Sequence, residues 1–569
     1  MKIRFISIKN FRGIKELSWT LPDHHILCLI GRGDSTKSTI LEAIRYTLYP
    51  QWQLSLDDSD FFECDPSNSI EIEVVVTHFP DEFRDLARYG HWLSGWNPKT
   101  LVATEDPAEE LEDALCLCLT VASDLEPRWS VKKTGGTEGA PLRTSDRAKA
   151  AVTSIGSFAD RHLGWGRGSV LGHLTSGESI AASLASAARA ARAALDAKRG
   201  TDLKVFDEAA KKAESAARDL GVRVTKGFRA HLDAEGLNVR AGVLTLHDGE
   251  MPLRRLGLGS KRVLTTGLQK QALQSPHITL CDEIEIALEP HRIARLVHAL
   301  KEDKSGQYFL TTHSPVVLRE LDVTDIHVVH SAAGTTSVVS ANQEALVDSV
   351  QGNIRLQPDA FLAPKIVVCE GATEVGLLRA LDRHWRSKLK PSFAYQGVAL
   401  FDAVGASKIR KVAECLRSLR YQVAVLADSD EQTQFSDQDA ASLEKVGACV
   451  VLWSGGLSLE ERVLLDLPWE GVKATATVAG QIHGDPGRIL EQIGAKYGKD
   501  FDGDMARWTD TPKLRVAIGQ AAKAGHWFKK IWAAQEWGVV ISRFIDDPHL
   551  ANSDLRQKIE RLRQWIDVD

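Results

Sequence analysis

What the 569-residue chain lacks narrows its class first. No apolar stretch approaches the length of a membrane span, so a membrane-spanning protein is not expected. There is no excess of positive charge: 70 Lys and Arg stand against 76 Asp and Glu, a net charge of −6. Any contact with nucleic acid must therefore come from local basic patches that overcome the overall repulsion of phosphate. The eight cysteines are scattered. The closest pair, Cys116 and Cys118, lacks zinc-knuckle spacing and is expected on opposite sides of one strand, so reduced structural thiols are the expectation. None of the seven tyrosines has the context of a nucleophile, and internal repeats and low-complexity tracts are missing. The chain opens directly on the alternation Ile3, Phe5, Ile6, Ile8 without a basic and apolar leader, which reads as a cytoplasmic protein with no membrane partner.

What is present points to several globular domains. The length predicts two to four, and 43% hydrophobic residues with 26% charged are enough to bury a core in each. Residues 2 to 30 read as strand, turn and strand, and a helix is expected from about Lys37 to Leu48. Further strands are expected at Ile70 to Thr77, Leu115 to Val121 and Val243 to Leu246, which predicts a mixed sheet decorated by helices. Within 150 to 235 the composition turns to Ala, Arg, Lys and Glu, a helical insertion that is either a solvated bundle or a dimerisation arm. The proline-bearing segment 356 to 365 marks the main boundary. The expected organisation is an α/β multidomain protein: an ATPase region over 1–350, a second α/β domain over 364–468, and a helical extension over 469–569.

GRGDSTKST at 31 to 39 lies between a buried-type strand and a helix, where a phosphate-binding loop belongs. Gly31, Arg32, Gly33, Asp34, Ser35, Thr36, Lys37, Ser38 and Thr39 are its candidate nucleotide-binding residues. Lys37 is assigned to the β and γ phosphates and Ser38 to Mg²⁺. Thr36 stands where the motif has its second glycine, and Asp34 adds a negative charge, so weakened binding or turnover is expected. ITLCDEIEIALEP at 278 to 290 ends a strand in Asp282, assigned to Mg²⁺, and Glu283, assigned to polarise the attacking water. YFLTTHSP places His313 after another strand, and LRRLGLGSKRVL at 253 to 264 offers Gly259 and Ser260 as a loose signature element. These four elements in this order resemble the non-transporter ABC ATPases, the group of SMC and RecF proteins. The resemblance implies ATP with Mg²⁺ sandwiched between two copies.

KIVVCEGATEVGLLRAL at 365 to 381 is a buried strand ending in Glu370, followed by a helix carrying Glu374. YQVAVLADSDEQ at 421 to 432 ends in Asp428 and Asp430. At the carboxyl ends of neighbouring parallel strands these four acids would converge, and their mutual repulsion calls for hard divalent cations, Mg²⁺ or Mn²⁺. Glu460 and Glu461 supply a further acidic pair, which favours two ions. Cys369 has no partner spacing for a thiol nucleophile, and His24, His25 and His526 read as structural or surface residues.

The pattern E-G followed by D-x-D resembles the Toprim fold, and E-G-x-x-E resembles the overcoming-lysogenisation-defect (OLD) nucleases, which join an ABC ATPase to a Toprim domain in this order. The resemblance implies an ATP-regulated endonuclease of double-stranded DNA, acting in anti-phage defence or DNA processing as a homodimer or larger assembly, with a helicase-type partner. It also implies a basic residue near the scissile phosphate. Of Lys523, Lys529 and Lys530 in AAKAGHWFKKIW, the WFK context selects Lys529, although such a lysine also suits plain amphipathic packing. A topoisomerase lacks its tyrosine here. The reading from a different class is an SMC/RecF-like DNA clamp or nucleotide sensor with little turnover, on account of Thr36.

Overall fold

The computed structural model describes residues 1–50, 54–149, 152–155, 159–165, 169–175, 181–197, 204–229, 244–272, 277–340 and 351–568. Two sheets organise them. The larger has fourteen strands. Its parallel half takes, in spatial order, Val152–Ile155, His277–Cys281, Gly306–Thr311, Ile26–Ile30 and Ile326–Ala332. Ile26–Ile30 is buried at every position. Ile26, Cys28 and Ile30 pack against helix Pro290–Glu302 on one face, and Leu27 and Leu29 against helix Lys37–Thr47 on the other. That two-sided burial is why the strand is an unbroken apolar run. The sheet continues through Thr335–Ser340, Ile14–Thr20, Lys2–Phe11, Ile70–Thr77 and Glu112–Val121, antiparallel except for the parallel pairing of Thr335–Ser340 with Ile14–Thr20. This is the mixed, helix-decorated sheet that the pattern predicts.

Two local expectations fail. Cys116 and Cys118 share a side of strand Glu112–Val121, with sulfurs 3.6 Å apart, because residues two apart on a strand face the same way. The strand expected at 243 to 246 does not form over its described residues: Thr245 makes an isolated bridge to Gly164, and the short hairpin is His247–Asp248 with Met251–Pro252. The insertion is helical at Ala181–Ala197 and Lys204–Asp219, and the latter buries none of its residues. The start of the region expected to be a helical insertion instead gives strand Val152–Ile155 to the large sheet, followed by short helices at Ala159–His162 and Val170–Leu174, and its residues 150–151, 156–158, 166–168, 176–180, 198–203 and 230–235 lie outside the described residues.

The smaller sheet is wholly parallel, in the order Val398–Asp402, Lys365–Cys369, Gln422–Ala427, Cys449–Leu452. Alternate residues of its central strands go to opposite faces. Ile366, Val368, Val423 and Val425 join the core that contains Val317 and Ile326 of the first region. Val367, Cys369, Ala424 and Leu426 join the core formed with the C-terminal helices. The segment around 356 to 365 is accordingly packed as a wedge: Ala360 and Phe361 are buried in the shared core, and Tyr421 Oη donates to the Phe361 carbonyl at 2.6 Å. Beyond Cys449–Leu452 only helices and turns occur among the described residues. None of the described helices is long and apolar enough to cross a membrane.

Candidate active site

Register puts the acids together. Lys365–Cys369 and Gln422–Ala427 are hydrogen-bonded neighbours with Cys369 opposite Leu426, so Glu370 and Asp428 leave the same edge side by side. Asp428 N–H donates to Glu370 Oε2 at 3.0 Å, and Leu459 N–H donates to Asp428 Oδ1 at 2.9 Å. Helix Ala372–Ser387 starts at once after Glu370, and Glu374 leans back over its first turn to accept from Gly371 N–H at 2.9 Å. That bond is a helix-capping role, yet Glu374 is only 2% exposed and faces Glu370 and Glu460. Burial first, then those two carboxylates, raise its pKa to about 8. Burial and the neighbouring acids likewise raise Asp428 and Glu370 above the ordinary carboxylate range.

Glu460 lies at the start of helix Leu459–Asp466 and is fully buried. Neither of its oxygens has a hydrogen-bond partner. The nearby cation is Lys529, whose Nζ is 4.0 Å from Glu460 Oε1. Burial works against the Lys529 charge, but Glu460, Glu374, Asp428 and Glu370 outweigh it and hold the ammonium above its ordinary pKa. The WFK segment is positioned by its rings: Phe528 stacks on Trp537 at 4.2 Å, its carbonyl accepts from Thr373 Oγ1, and Trp527 Nε1 donates to Gln492 at 2.6 Å. Helix Ile531–Phe544, which follows, lies so close to Ala372–Ser387 that a Cβ at Gly376 would collide with Ala534. The packing role and the placement among the acids are thus the same feature of the sequence.

Asp430 and Glu461 form a second group around Lys523, which pairs with Asp430 Oδ2 and lies 3.5 Å from Glu461 Oε2. Glu461 also accepts from Ser458 N–H at 3.1 Å in a capping box. Lys530 caps helix Ile531–Phe544 at an exposed position and joins neither group.

Unpartnered, fully buried carboxylate oxygens surrounded by further carboxylates have the chemistry of a Mg²⁺ or Mn²⁺ site. Glu460 therefore fits the implied ions. The ligand sphere expected from the sequence is nevertheless not assembled: among the described residues no three His, Cys, Asp or Glu side chains stand around one metal position. Backbone N–H groups hold Glu370, Asp428 and Glu374, and Lys523 holds Asp430. Cys369 is no nucleophile, since burial and then Glu374 push its thiol well above the ordinary value.

The phosphate-loop residues lie between Ile26–Ile30 and Lys37–Thr47, the expected setting. Arg32, Gly33 and Asp34 are exposed, and Gly31 and Ser35 are buried. Thr36 is the helix N-cap in a left-handed conformation, φ 67° and ψ 13°, which a β-branched residue adopts only under strain. Lys37 Nζ folds onto its own loop, donating to the carbonyls of Gly31 at 3.2 Å and Arg32 at 2.9 Å and to Ser35 Oγ at 3.1 Å. Burial lowers its pKa against the opposing pull of Asp282, Asp34 and Glu283.

Ser38 Oγ donates to Asp282 Oδ1 at 3.0 Å, so the two residues assigned to Mg²⁺ meet. Thr39 is half-buried in the first turn of that helix. Glu283 has φ 46°, its N–H held by Thr311 Oγ1 at 2.8 Å. His313 is exposed two residues beyond strand Gly306–Thr311, beside the strand that leads into Gly31. The signature residues face elsewhere in this chain: Ser260 accepts from Arg292 Nη1 at 3.1 Å, and a Cβ on Gly259 would strike the Ala287 carbonyl.

Two residues here escaped the sequence reading. Glu285 accepts from His313 N–H at 2.7 Å and from Thr312 Oγ1 at 2.8 Å, and buried Arg262 donates to the Asp282 carbonyl at 2.8 Å. The second glutamate of DEIE and the arginine two after Ser260 were the available signals.

Family models cover the phosphate loop, the stretch from Asp282 to His313 and the stretch from Glu370 to Asp430. Residues 1–113 match the AAA ATPase domain family, and 138–319 match an AAA domain family described with the AbiEii toxin of type IV TA systems. Residues 361–430 match the TOPRIM domain of overcoming-lysogenization-defect-like proteins. Among curated proteins, Endonuclease GajA of Bacillus cereus (strain VD045) is 27% identical over 198 residues, 34% of this chain. The match spans 32% of that relative's length. Among solved structures, the SMC head domain from Thermotoga maritima is 14% identical, covering 60% of this chain and 99% of its own at a TM-score of 0.29. A Pyrococcus furiosus Smc head domain bound to the C-terminal domain of ScpA is 16% identical, covering 62% and 98% at 0.33.

Proposed function

We propose, from the premise that this chain is of the OLD type, an AAA-family ATPase region joined to an OLD-like TOPRIM domain, that it is an ATP-regulated, divalent-metal-dependent endonuclease of double-stranded DNA. The observation that carries the proposal is Glu460, buried without a hydrogen-bond partner for either oxygen beside Glu370, Glu374 and Asp428. The nuclease domain is taken as 364–468 with the helices of 469–569 completing its site through Lys523 and Lys529, and the ATPase region as 1–350.

Glu370, Glu374, Asp428 and Glu460 would hold one divalent ion, and Asp430 with Glu461 would contribute to a second. When bound, such ions supply charge neutralisation and Lewis-acid activation at a phosphodiester. Lys529, already held as a cation by the acids, would bind the scissile phosphate and offset its charge. At the other site Lys37, Ser38 and Asp282 would hold the phosphates of ATP and its magnesium, and Glu283 would orient the attacking water. Gly259 and Ser260, which meet Ala287 and Arg292 in their own chain, would serve the nucleotide of a second copy in a homodimer. The eight free thiols suit the reducing cytoplasm. Anti-phage defence and a helicase-type partner belong to the same proposal by resemblance.

The test is incubation of supercoiled plasmid with Mg²⁺ or Mn²⁺, with and without ATP. The wild type is expected to nick or linearise it and Asp428→Ala to leave it intact; cutting at equal rates by both would remove the nuclease assignment. One observation favours the clamp or sensor reading for the ATPase half alone: strained Thr36 with Lys37 turned onto its own loop. ATP hydrolysis measured with Glu283→Gln as control separates slow turnover from none.

A further inference from the structure

Two lysines from the C-terminal extension, Lys523 in helix Pro512–Ala524 and Lys529 in the connection after it, enter the acid cluster, and they stand in different relations to it. Lys529 approaches Glu460 at 4.0 Å without a hydrogen bond. Lys523 is in direct contact with Asp430, whose charge also acts on Glu370 and Asp428, and is 3.5 Å from Glu461. We infer that Lys523 is a built-in counter-cation: it holds Asp430 and Glu461 in the metal-free protein, must leave before a divalent ion takes them, and so sets the metal concentration at which the site fills. This inference rests on the nuclease reading of the cluster.

Three features carry it. Helix Pro512–Ala524 is locked against helix Leu459–Asp466, because Gly519 lets the backbones approach; a Cβ there would lie 3.1 Å from Glu461 Cα. Lys523 is four residues later on the same helix face, so its reach to Glu461 is fixed by packing. Its side chain is nevertheless 40% exposed, whereas Asp430 and Glu461 are 12% and 17% exposed. The ammonium can therefore swing into water on its flexible stem without opening a hole, while the carboxylates stay. Finally, the neighbouring group already shows an acid that no cation contacts closely: Glu460, buried with both oxygens unpartnered. The two lysines thus differ in grip: Lys523 is in contact with its acids, while Lys529 stands 4.0 Å from Glu460. Exchanging Lys523 for a divalent ion replaces one cation by another on the same oxygens, so the two compete.

The measurement is Mn²⁺ binding to the full chain by calorimetry and electron paramagnetic resonance, for the wild type, Lys523→Met and Lys523→Arg, with Asp428→Ala as the control for the site itself. Lys523→Met keeps the stem and removes the competitor, and is expected to bind Mn²⁺ about tenfold more tightly, the scale on which one adjacent charge shifts an ionic equilibrium. Without metal it should melt earlier than the wild type, and added Mn²⁺ should raise its melting temperature by more. Lys523→Arg grips carboxylates with a rigid fork and is expected to bind Mn²⁺ more weakly than the wild type. An affinity order of Met, Lys, Arg supports the inference, and a flat or reversed order overturns it. Should the wild type bind no Mn²⁺ that Asp428→Ala removes, the nuclease reading fails first, whatever the lysine variants do.

Discussion

Replacing Glu460 by glutamine should make the metal-free protein more stable and the metal-bound protein less so. Glu460 is fully buried, both its oxygens lack partners, and Lys529 at 4.0 Å offsets its charge only in part. An uncompensated buried charge costs about 3–5 kcal/mol, and an unsatisfied buried amide about 1–3 kcal/mol. The exchange should therefore stabilise the metal-free chain by about 2 kcal/mol. If the smaller sheet and its helices melt as one unit of about 200 residues, that is a rise of about 4–8 °C in Tm. With Mn²⁺ at a hundred times Kd, the wild type should gain about 2.7 kcal/mol, and Glu460→Gln, having lost a ligand, much less. The two melting temperatures should cross as metal is added in differential scanning calorimetry. A variant that melts lower than the wild type without metal, and gains as much on adding it, would refute the assignment of Glu460 as a waiting ligand.

Lys37→Ala should weaken ATP binding in a calorimetric titration by removing the cation assigned to the β and γ phosphates; unchanged affinity would reduce the loop to a strand–helix connection. Thr36→Gly should relieve a left-handed threonine worth about 1–2 kcal/mol and raise the melting temperature of the ATP-free protein, and a lower melting temperature would mean that the Thr36 contact with Thr336 Oγ1 at 3.2 Å matters more than the strain. Burial lowers the pKa of His327 to about 3, below its value of about 6.5 in the unfolded chain. Its stability contribution is therefore complete above pH 6.5 and is lost as pH falls toward 3, by up to about 1.4 kcal/mol per unit. Urea unfolding at pH 7.5 and pH 5 should show a smaller loss for His327→Gln than for the wild type, and equal losses would contradict the burial argument.

Sequence pattern revealed most where one local rule was enough. Unbroken apolar runs such as ILCLI and KIVVC announced parallel strands covered on both faces, and the residues just past their ends, Gly31, Asp282, Glu370 and Asp428, lie along the sheet edges as that topology requires. What escaped depended on long-range packing. Nothing near residue 361 shows that Phe361 is buried in a core to which both sheets contribute, since that follows from how the sheets bury their faces. Lys523 lies in the last turn of helix Pro512–Ala524 and Lys529 in the connection that follows it, and their separate partners are decided by Gly519 and by the stacking of Phe528 on Trp537. The strand expected near Val243 rests on a short apolar run, whose periodicity alone does not fix the element type. Cys116 and Cys118 were misplaced against the period of two that was applied correctly elsewhere.

The central claim is that the acids at the edge of the smaller sheet hold two divalent ions. Crystals grown with Mn²⁺ and measured for anomalous scattering test it most directly. Two peaks about 4 Å apart are predicted, one among Glu370, Glu374, Asp428 and Glu460 and the other against Asp430 and Glu461, with Lys523 turned away. Anomalous density confined to Ser38 and Asp282, with the acid cluster empty, would contradict it.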